Sequence, residues 1–161
     1  MKVGIAGYGV VGKTRHRSIE SNTSYQITAI SESSQEARKF IPAGIKIYYD
    51  YKSLIASADI DVIFISLPNQ FASEAACLSL QRGLHVFCEK PPARTHAELL
   101  EVEKQSLKFP ELKLMYGFNH RFHLSVEEAK LLIDSNSLGR LINMKGVYGK
   151  SQMISFNQTD W

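Results

Sequence analysis

A glycine-rich turn near the N-terminus constrains the fold of this chain more than any other feature. It follows the apolar run Val3–Ala6, which is typical of a strand, and it leads into a helical pattern that starts at Val10. In such a unit the first glycine makes a tight turn, the second lets backbone N–H groups approach a pyrophosphate, and the third lets the helix pack closely. The helix N-terminus then faces the diphosphate with its partial positive charge. The residues of this turn, which we predict to contact a dinucleotide, are Gly7, Tyr8, Gly9, Val10, Val11 and Gly12.

Short apolar runs alternate with longer helical patterns along most of the chain, which is the rhythm of βαβ units. The predicted strands are Lys2–Ala6, Tyr25–Ser31, Lys46–Tyr48, Val62–Ser66, His85–Cys88 and Lys113–Gly117. The predicted helices begin near Val10, Gln35, Tyr51, Asn69, Thr95 and Val126. Thr95 with Glu98, and Ser125 with Glu128, have the spacing of a capping box. The pattern predicts an α/β fold with a doubly wound parallel sheet, the Rossmann dinucleotide-binding fold.

The chain has 161 residues, which is the size of one ordinary domain. We expect residues 1–123 to form the dinucleotide-binding domain and residues 124–140 to form a connecting helix and loop. The alternating pattern of Leu141–Tyr148 predicts a strand with no helix after it. Residues 141–161 are therefore predicted to begin a second, α+β substrate domain that is incomplete in this chain.

A carboxylate stands at the end of the second predicted strand, about twenty residues after the last glycine of the turn. This residue, Glu32, can accept hydrogen bonds from both hydroxyls of an adenosine ribose and would repel a 2′-phosphate. Arg38 and the nearby serines form a set that could instead hold such a phosphate; these serines are Ser31, Ser33 and Ser34. We predict NAD as the cofactor, with NADP as the alternative. For Glu32 itself, the alternative is that it is a solvated loop residue with no role in binding.

Composition and charge exclude several classes of protein. Hydrophobic residues make up 44% of the chain and charged residues 22%, the proportions of a globular protein rather than a disordered tail or a coiled coil. The net charge of +3 is too small to indicate nucleic-acid binding, and the basic run 13–17 has no aromatic residues between its cations. No apolar run approaches the roughly 20 residues that a membrane span needs, so we expect no membrane partner.

The two cysteines, Cys77 and Cys88, have no partner at metal-ligand spacing and do not form a disulfide framework. No metal site is predicted. Their pattern indicates a reduced, intracellular setting. Since the N-terminus shows neither a signal peptide nor an anchor, we predict a cytoplasmic protein.

The fifth predicted strand ends in the run Glu89–Pro92, which carries a second candidate site. Ligands of open parallel sheets lie beyond the carboxyl ends of the strands, so Lys90 is expected at the cofactor crevice. The two prolines prevent a helix from starting at once and stiffen the turn around Glu89 and Lys90. A lysine held there can donate or accept a proton. Taken alone, however, an ordinary surface lysine is the more common case.

Four motifs occur in the order and spacing of one known family. They are Gly7–Gly12, Ser66–Asn69, Glu89–Pro91 and Gly117–Phe122. Over essentially the whole chain they resemble the N-terminal half of the glucose-fructose oxidoreductase / inositol dehydrogenase family, often called Gfo/Idh/MocA. The resemblance implies a nicotinamide-dependent oxidoreductase that transfers a hydride between its cofactor and a hydroxyl or carbonyl of a sugar, a sugar nucleotide or a cyclitol.

The resemblance also implies roles for individual residues. Lys90 matches the lysine that lies beside the nicotinamide, orients the substrate and assists proton transfer. It is therefore the candidate catalytic residue. Lys90 and Glu89 are also expected to contact the cofactor. Asn119 and Arg121 match positions near the nicotinamide end and the substrate. The adenine and ribose side of the cofactor is matched by Ser66, Leu67, Pro68 and Asn69.

One family motif is missing, an acidic residue followed closely by a histidine on the second domain. His120 and His123 do not replace it. We therefore expect the 161-residue chain to be inactive on its own, and we expect the full-length protein to be a homo-oligomer. A non-catalytic nucleotide-binding or redox-sensing module with the same fold is the alternative. Lys90 discriminates between the two, because a sensor has no need for a lysine at the nicotinamide.

Overall fold

A computed structural model of the protein describes residues 1–147 and residue 149. The chain divides into two compact units, the first spanning Met1–Gly117 and the second starting at Phe118. No helix among the described residues is both long enough and apolar enough to cross a bilayer.

The first unit contains one six-stranded sheet in which all neighbouring strands are parallel. Its strands are β1 (Lys2–Ala6), β2 (Gln26–Ser31), β3 (Lys46–Tyr48), β4 (Val62–Ile65), β5 (His85–Cys88) and β6 (Leu114–Tyr116). They lie in the order β3-β2-β1-β4-β5-β6. Because the crossovers from β1 to β2 and from β3 to β4 run in opposite directions along the sheet, a crevice opens at the carboxyl end of β1. The predicted doubly wound fold is confirmed.

Five helices connect these strands. They are α1 (Val10–Glu20), α2 (Gln35–Arg38), α3 (Tyr51–Ser57), α4 (Asn69–Gln81) and α5 (His96–Lys108). Four of them begin at the predicted residue, and α5 begins one residue later because Thr95 is its N-cap. The Thr95 side chain accepts a hydrogen bond from the Glu98 N–H at 3.2 Å, which satisfies one free donor of the first helical turn.

Two apolar clusters cover the two faces of the sheet. Successive side chains of a strand point to opposite faces, so Val3 and Ile5 of β1 enter one cluster while Ala6 enters the other. The first cluster includes Ile19 of α1, and the second includes Leu54 of α3. Val3, Ile5 and Leu54 are fully buried, and each such side chain stabilises the fold by about 1.5–3 kcal/mol.

The second unit begins with a 3₁₀ turn, Asn119–Phe122, followed by helix α6, Leu124–Asp134. The predicted capping box of Ser125 and Glu128 is wrong. The N-cap of α6 is His123, and it makes no side-chain capping hydrogen bond. The His123 carbonyl already accepts the N–H groups of Val126 and Glu127, at 2.8 and 3.0 Å, so the first turn is formed before Ser125 can act as its cap.

The strand predicted at Leu141–Tyr148 is not formed by its described residues, because 141–147 have no regular secondary structure. The described part of the second unit contains no strand with which these residues could pair, and an isolated strand leaves its backbone groups without partners. Tyr148 and residues 150–161 lie outside the described residues. The domain boundaries predicted after residues 123 and 140 stay predictions.

Candidate functional site

The first glycine of the turn is fixed by its neighbours on both sides. Gly7 has a φ of +90°, a backbone conformation in which only glycine avoids strain. Its N–H donates to the carbonyl of Ser31 at the end of β2, at 2.9 Å. A Cβ at this position would lie 2.5 Å from the carbonyl oxygen of Ser66, just beyond β4. The turn therefore fits between the ends of the two strands that flank β1 only with glycine here.

The other two glycines have opposite surroundings. A Cβ on Gly12 would lie 2.0 Å from the carbonyl oxygen of Gly7, whereas a Cβ on Gly9 would meet nothing within 4 Å. Gly12 thus lets α1 pack against its own turn, and Gly9 faces open space. Val10 is 84% exposed in the first turn of α1. That turn has no acidic residue and no side-chain cap, so its N–H groups are free to bind an anion.

Glu32 lies directly against the glycine turn, just beyond the end of β2. One carboxylate oxygen, Oε2, accepts the N–H of Tyr8 at 2.8 Å, and the other, Oε1, accepts the N–H of Ser34 at 2.8 Å. A carboxylate offers about four lone-pair sites, so each oxygen keeps capacity for a further donor. Glu32 is therefore a held acceptor next to the turn, and not a freely moving loop residue.

Tyr8 contributes its backbone to the turn, but its side chain points elsewhere. The ring is 4% exposed and belongs to the cluster around Val3 and Ile5. Its hydroxyl lies 2.9 Å from Nδ1 of the buried His16, whose Nε2 lies 2.9 Å from Oε1 of Glu20. Burial, with the nearby Glu20 charge, raises the pKa of Tyr8. A cofactor contact at Tyr8 is thus restricted to its backbone, because the side chain is part of the core.

The turn after β4 borders the same crevice. Within the described part of the chain, the buried hydroxyls of Ser66 and Ser31 have no hydrogen-bond partner. Buried hydroxyls are nearly always satisfied in native proteins, so these two, on residues whose carbonyls lie against Gly7, are candidates for a further polar contact. Leu67 packs against the apolar cluster that contains Ala6 and Leu54. Pro68 and Asn69 are exposed at the start of α4.

The Glu-Lys-Pro element follows β5, as predicted. The Glu89 N–H donates to the carbonyl of Ile65 at 2.9 Å, which continues the β4–β5 ladder past the end of the strand. Lys90 is exposed, and its ammonium makes no hydrogen bond or ion pair with any described residue. The peptide bond between Lys90 and Pro91 is cis. Lys90 is thus presented at the strand end with its charge unpaired.

Glu89 is held by a residue that sequence reasoning did not place in the site. Arg15 of α1 donates from Nε to Oε1 of Glu89 at 2.6 Å. The Arg15 guanidinium lies 4.8 Å from the centre of the Phe87 ring, which stacks on Phe64 at 5.0 Å. A Cβ at Gly117 would come within 2.9 Å of the other carboxylate oxygen. The basic run on α1 indicated that cations lie near the turn, but it did not indicate that Arg15 pairs with Glu89.

Cys88 lies immediately before Glu89 and is fully buried. Burial, with the neighbouring Glu89 charge as a smaller cause, raises the pKa of its thiol to about 12. Because the thiolate is the reactive form of cysteine, Cys88 has no nucleophilic role near neutral pH. Among the described residues no group of His, Cys, Asp or Glu side chains could hold a metal ion.

Asn119 and Arg121 belong to the second unit, where both are exposed in the 3₁₀ turn. Their predicted places near the nicotinamide and the substrate stay predictions. The first unit alone brings together the glycine turn, Glu32, the turn after β4 and the Glu-Lys-Pro element, at the carboxyl ends of four neighbouring strands.

This site fits a dinucleotide on three observations of the structure. The space over Gly9 is open, the first turn of α1 offers free N–H groups, and the hydroxyls of Ser31 and Ser66 have no partner among the described residues.

Comparison with known proteins also identifies the first unit as a nucleotide-binding fold. The Gfo/Idh/MocA family profile, described as an oxidoreductase family with an NAD-binding Rossmann fold, matches residues 1–117. Inositol 2-dehydrogenase from Salmonella paratyphi B is 28% identical over 151 residues, which are 91% of this chain and 45% of that protein. Levoglucosan dehydrogenase from Pseudarthrobacter phenanthrenivorans is 34% identical over 99 residues, 62% of this chain and 25% of that protein.

Among solved structures, scyllo-inositol dehydrogenase from Lactobacillus casei superposes with a TM-score of 0.77 at 28% identity. The match covers 86% of this chain and 42% of that protein, whose crystal structure contains NAD(H) and scyllo-inositol. The chain thus spans less than half the length of these relatives.

Proposed function

The chain belongs to the Gfo/Idh/MocA family of oxidoreductases, whose matching part is an NAD-binding Rossmann fold, and from this premise we propose that it provides the cofactor site of a dehydrogenase for sugars or cyclitols. The substrate class is supported by the inositol and levoglucosan dehydrogenases that it resembles. The observation that carries the proposal is the placement of Glu32 at the glycine turn together with Lys90 at the end of β5, whose ammonium has no ion-pair partner in the part of the chain that the structure describes.

Each residue of the site has a definite task in this proposal. The N–H groups at the start of α1 bind the pyrophosphate, and Glu32 accepts hydrogen bonds from the adenosine ribose. The hydroxyl of Ser66 is available to the cofactor from the turn after β4. When bound, NAD(H) supplies the redox chemistry, as cofactors do in such enzymes.

Lys90 is proposed to handle the proton of the reacting substrate oxygen. Oxidation of a hydroxyl to a carbonyl releases the hydroxyl proton, and a positioned amine can accept or relay it. Glu89 does not neutralise Lys90, because its Oε1 is bound to Arg15. Lys90 can therefore bind the substrate oxygen from the strand end: its neutral amine accepts the proton when a hydroxyl is oxidised, and its ammonium returns one when a carbonyl is reduced.

Calorimetric titration of the chain with NAD⁺ and NADH tests the first half of this proposal. We expect both to bind, and we expect Glu32→Ala to weaken binding about tenfold or more through the loss of charged hydrogen bonds. Glu36→Ala is the matched control, since that carboxylate is exposed on α2 and paired with Lys39. Failure of the wild-type chain to bind either nucleotide at millimolar concentration would contradict the proposal.

A redox-sensing module with the same fold is the second candidate, supported by the binding site alone. The reading frame beyond the codon for Trp161 separates the two. A continuation of a domain's length, with an acidic residue followed closely by histidine, favours the enzyme, whereas a stop codon favours the module.

Several further points belong to the same proposal. We place the boundary of the cofactor domain near residue 123 and assign the residues after 140 to the start of a substrate domain. A cytoplasmic location is supported by two cysteines that form no disulfide. Assembly of the full-length protein into a homo-oligomer and the placement of Asn119 and Arg121 near the substrate rest on the family resemblance.

A further inference from the structure

The turn between β2 and α2 contains the residues from which the sequence could not decide whether the cofactor is NAD or NADP. Ser33, Ser34 and Arg38 have the composition of a site for a 2′-phosphate. The structure directs the guanidinium of Arg38 elsewhere. Its Nη1 donates to the backbone carbonyl of Glu32 and to that of Ser33, both at 2.8 Å. Arg38 thus closes the turn on itself instead of extending outward.

Tyr49 holds Arg38 in this orientation. The guanidinium lies 4.6 Å from the centre of the Tyr49 ring, within the range of a cation–π contact. The Glu32 N–H donates to the carbonyl of Tyr48 at 3.0 Å, which brings the end of β3 beside the turn. Tyr49 is 69% exposed, so its ring is not required to fill the core.

The neighbouring cations are occupied as well. Lys39 is bound to Glu36 at 2.7 Å, and the Lys13 ammonium lies 4.1 Å from the centre of the Phe40 ring. The carboxylate of Glu32 is fixed by two backbone N–H groups. A 2′-phosphate at this turn would therefore meet a fixed negative charge, while Nη1 of Arg38 is already bound to two backbone carbonyls.

We propose that Arg38 and Tyr49 are positioning residues that set a preference for NAD over NADP. Neither needs to touch the cofactor. Arg38 fixes the turn that presents Glu32, and Tyr49 keeps Arg38 from reaching a 2′-phosphate. This inference rests on the proposed NAD(H) binding and adds the residues that decide between the two nucleotides.

The test is calorimetric titration of the 161-residue chain with NAD⁺ and with NADP⁺. For the wild type we expect NADP⁺ to bind at least about tenfold more weakly than NAD⁺, because Glu32 repels the phosphate. Tyr49→Leu removes the ring contact and leaves Arg38 held by its two hydrogen bonds alone, so the ratio of the two dissociation constants is expected to fall by about threefold, the size of an exposed cation–π contact. Tyr49→Phe keeps the ring and is expected to keep the wild-type ratio.

Arg38→Met is expected to weaken NAD⁺ binding rather than to improve NADP⁺ binding. It removes both hydrogen bonds to the turn and also the cation that could serve a phosphate, so NAD⁺ binding is expected to weaken about fivefold with no gain for NADP⁺. Lys39→Met is the control, because it removes a neighbouring exposed cation and leaves the turn intact.

A purely structural role for Tyr49 would change the affinity for both nucleotides equally and leave their ratio unchanged. NAD⁺ binding with an unchanged ratio in Tyr49→Leu, or equal binding of NAD⁺ and NADP⁺ by the wild type, overturns this inference alone. Binding of neither nucleotide by the wild type overturns the proposed function and this inference with it. Urea unfolding of each variant confirms that it is folded.

Discussion

Arg15 and Glu89 form an ion pair across the first unit, although 74 positions separate them in the sequence. The Nε–Oε1 distance is 2.6 Å, and the two side chains are 28% and 15% exposed. The pair joins α1, which starts in the glycine turn, to the loop that carries Lys90. It therefore links the pyrophosphate end of the proposed cofactor site to the residue proposed for proton transfer.

Replacing Arg15 by Met should lower the free energy of unfolding by about 1–2 kcal/mol, since it leaves the Glu89 carboxylate partly buried without a partner. Urea unfolding followed by circular dichroism measures this change. Lys104→Met is the matched control, because its pair with Glu101 is 64% and 60% exposed, and it should cost less than about 0.5 kcal/mol. Equal losses in the two variants would show that the Arg15–Glu89 pair adds nothing beyond a surface contact.

The glycine turn offers a comparison between two identical substitutions. Gly12→Ala should unfold the chain or destabilise it by more than about 2 kcal/mol, because its Cβ would lie 2.0 Å from a backbone oxygen. Gly9→Ala should stay within about 1 kcal/mol of the wild type, since its Cβ meets nothing within 4 Å. We expect Gly9→Ala to weaken NAD⁺ binding nonetheless, as its methyl group occupies the space over the turn. A Gly12→Ala variant as stable as Gly9→Ala, or unchanged NAD⁺ affinity in Gly9→Ala, would contradict these roles.

The two predicted capping boxes should respond differently to alanine. Thr95→Ala removes an observed capping hydrogen bond to Glu98 and should cost about 1 kcal/mol. Ser125→Ala lies inside α6, where it makes no cap, and should be neutral or slightly stabilising because alanine has the higher helix propensity. Thermal unfolding of the two variants measures both effects, and a larger loss for Ser125→Ala would reverse the assignment.

Tyr116 has a buried hydroxyl without a hydrogen-bond partner among the described residues. Burial, with smaller effects of Cys88 and Cys77, raises the pKa of this tyrosine. The unfolded chain ionises near its ordinary pKa of about 10 while the folded chain stays protonated, so the native state loses stability as the pH rises above that value.

Tyr116→Phe removes both the orphaned hydroxyl and its titration. We expect its free energy of unfolding to equal or exceed that of the wild type by up to about 1 kcal/mol at neutral pH. The advantage should grow above about pH 10, where the wild type alone loses stability through this group. Urea unfolding at neutral and alkaline pH measures the difference. A variant that is less stable than the wild type at both values would indicate that the hydroxyl has a partner.

The parts of the fold that depend on local pattern could be predicted from the sequence. Three of the six strands, Lys2–Ala6, Lys46–Tyr48 and His85–Cys88, have the predicted bounds, and the others differ by a residue at one or both ends. Glycine spacing and the position of Glu32 also indicated a candidate cofactor site, and the roles of its residues stay predictions. These features follow from hydrophobic periodicity and backbone sterics, which act between residues close together in the chain.

The features that depend on side-chain direction could not be predicted. Arg15 and Arg38 lie on helices beside the site, and their sequence positions do not show that one turns to Glu89 and the other to Tyr49. Tyr8 lies within the glycine fingerprint, yet its ring packs in the core. Such contacts are decided by tertiary packing across the sheet, where partners are remote in sequence and a rotamer determines which group is reached.

The order of the strands has a consequence for synthesis of the protein. Of the six strands of this sheet β1 is synthesised first, yet it lies between β2 and β4. One edge of β1 can pair as soon as β2 is made, but the other edge stays open until Val62–Ile65 has emerged, several seconds later at usual elongation rates. During that interval a strand with two fully buried side chains, Val3 and Ile5, offers an unpaired edge to other chains. Arrival of β4 therefore closes the second edge of β1 and removes it as a site for pairing with other chains.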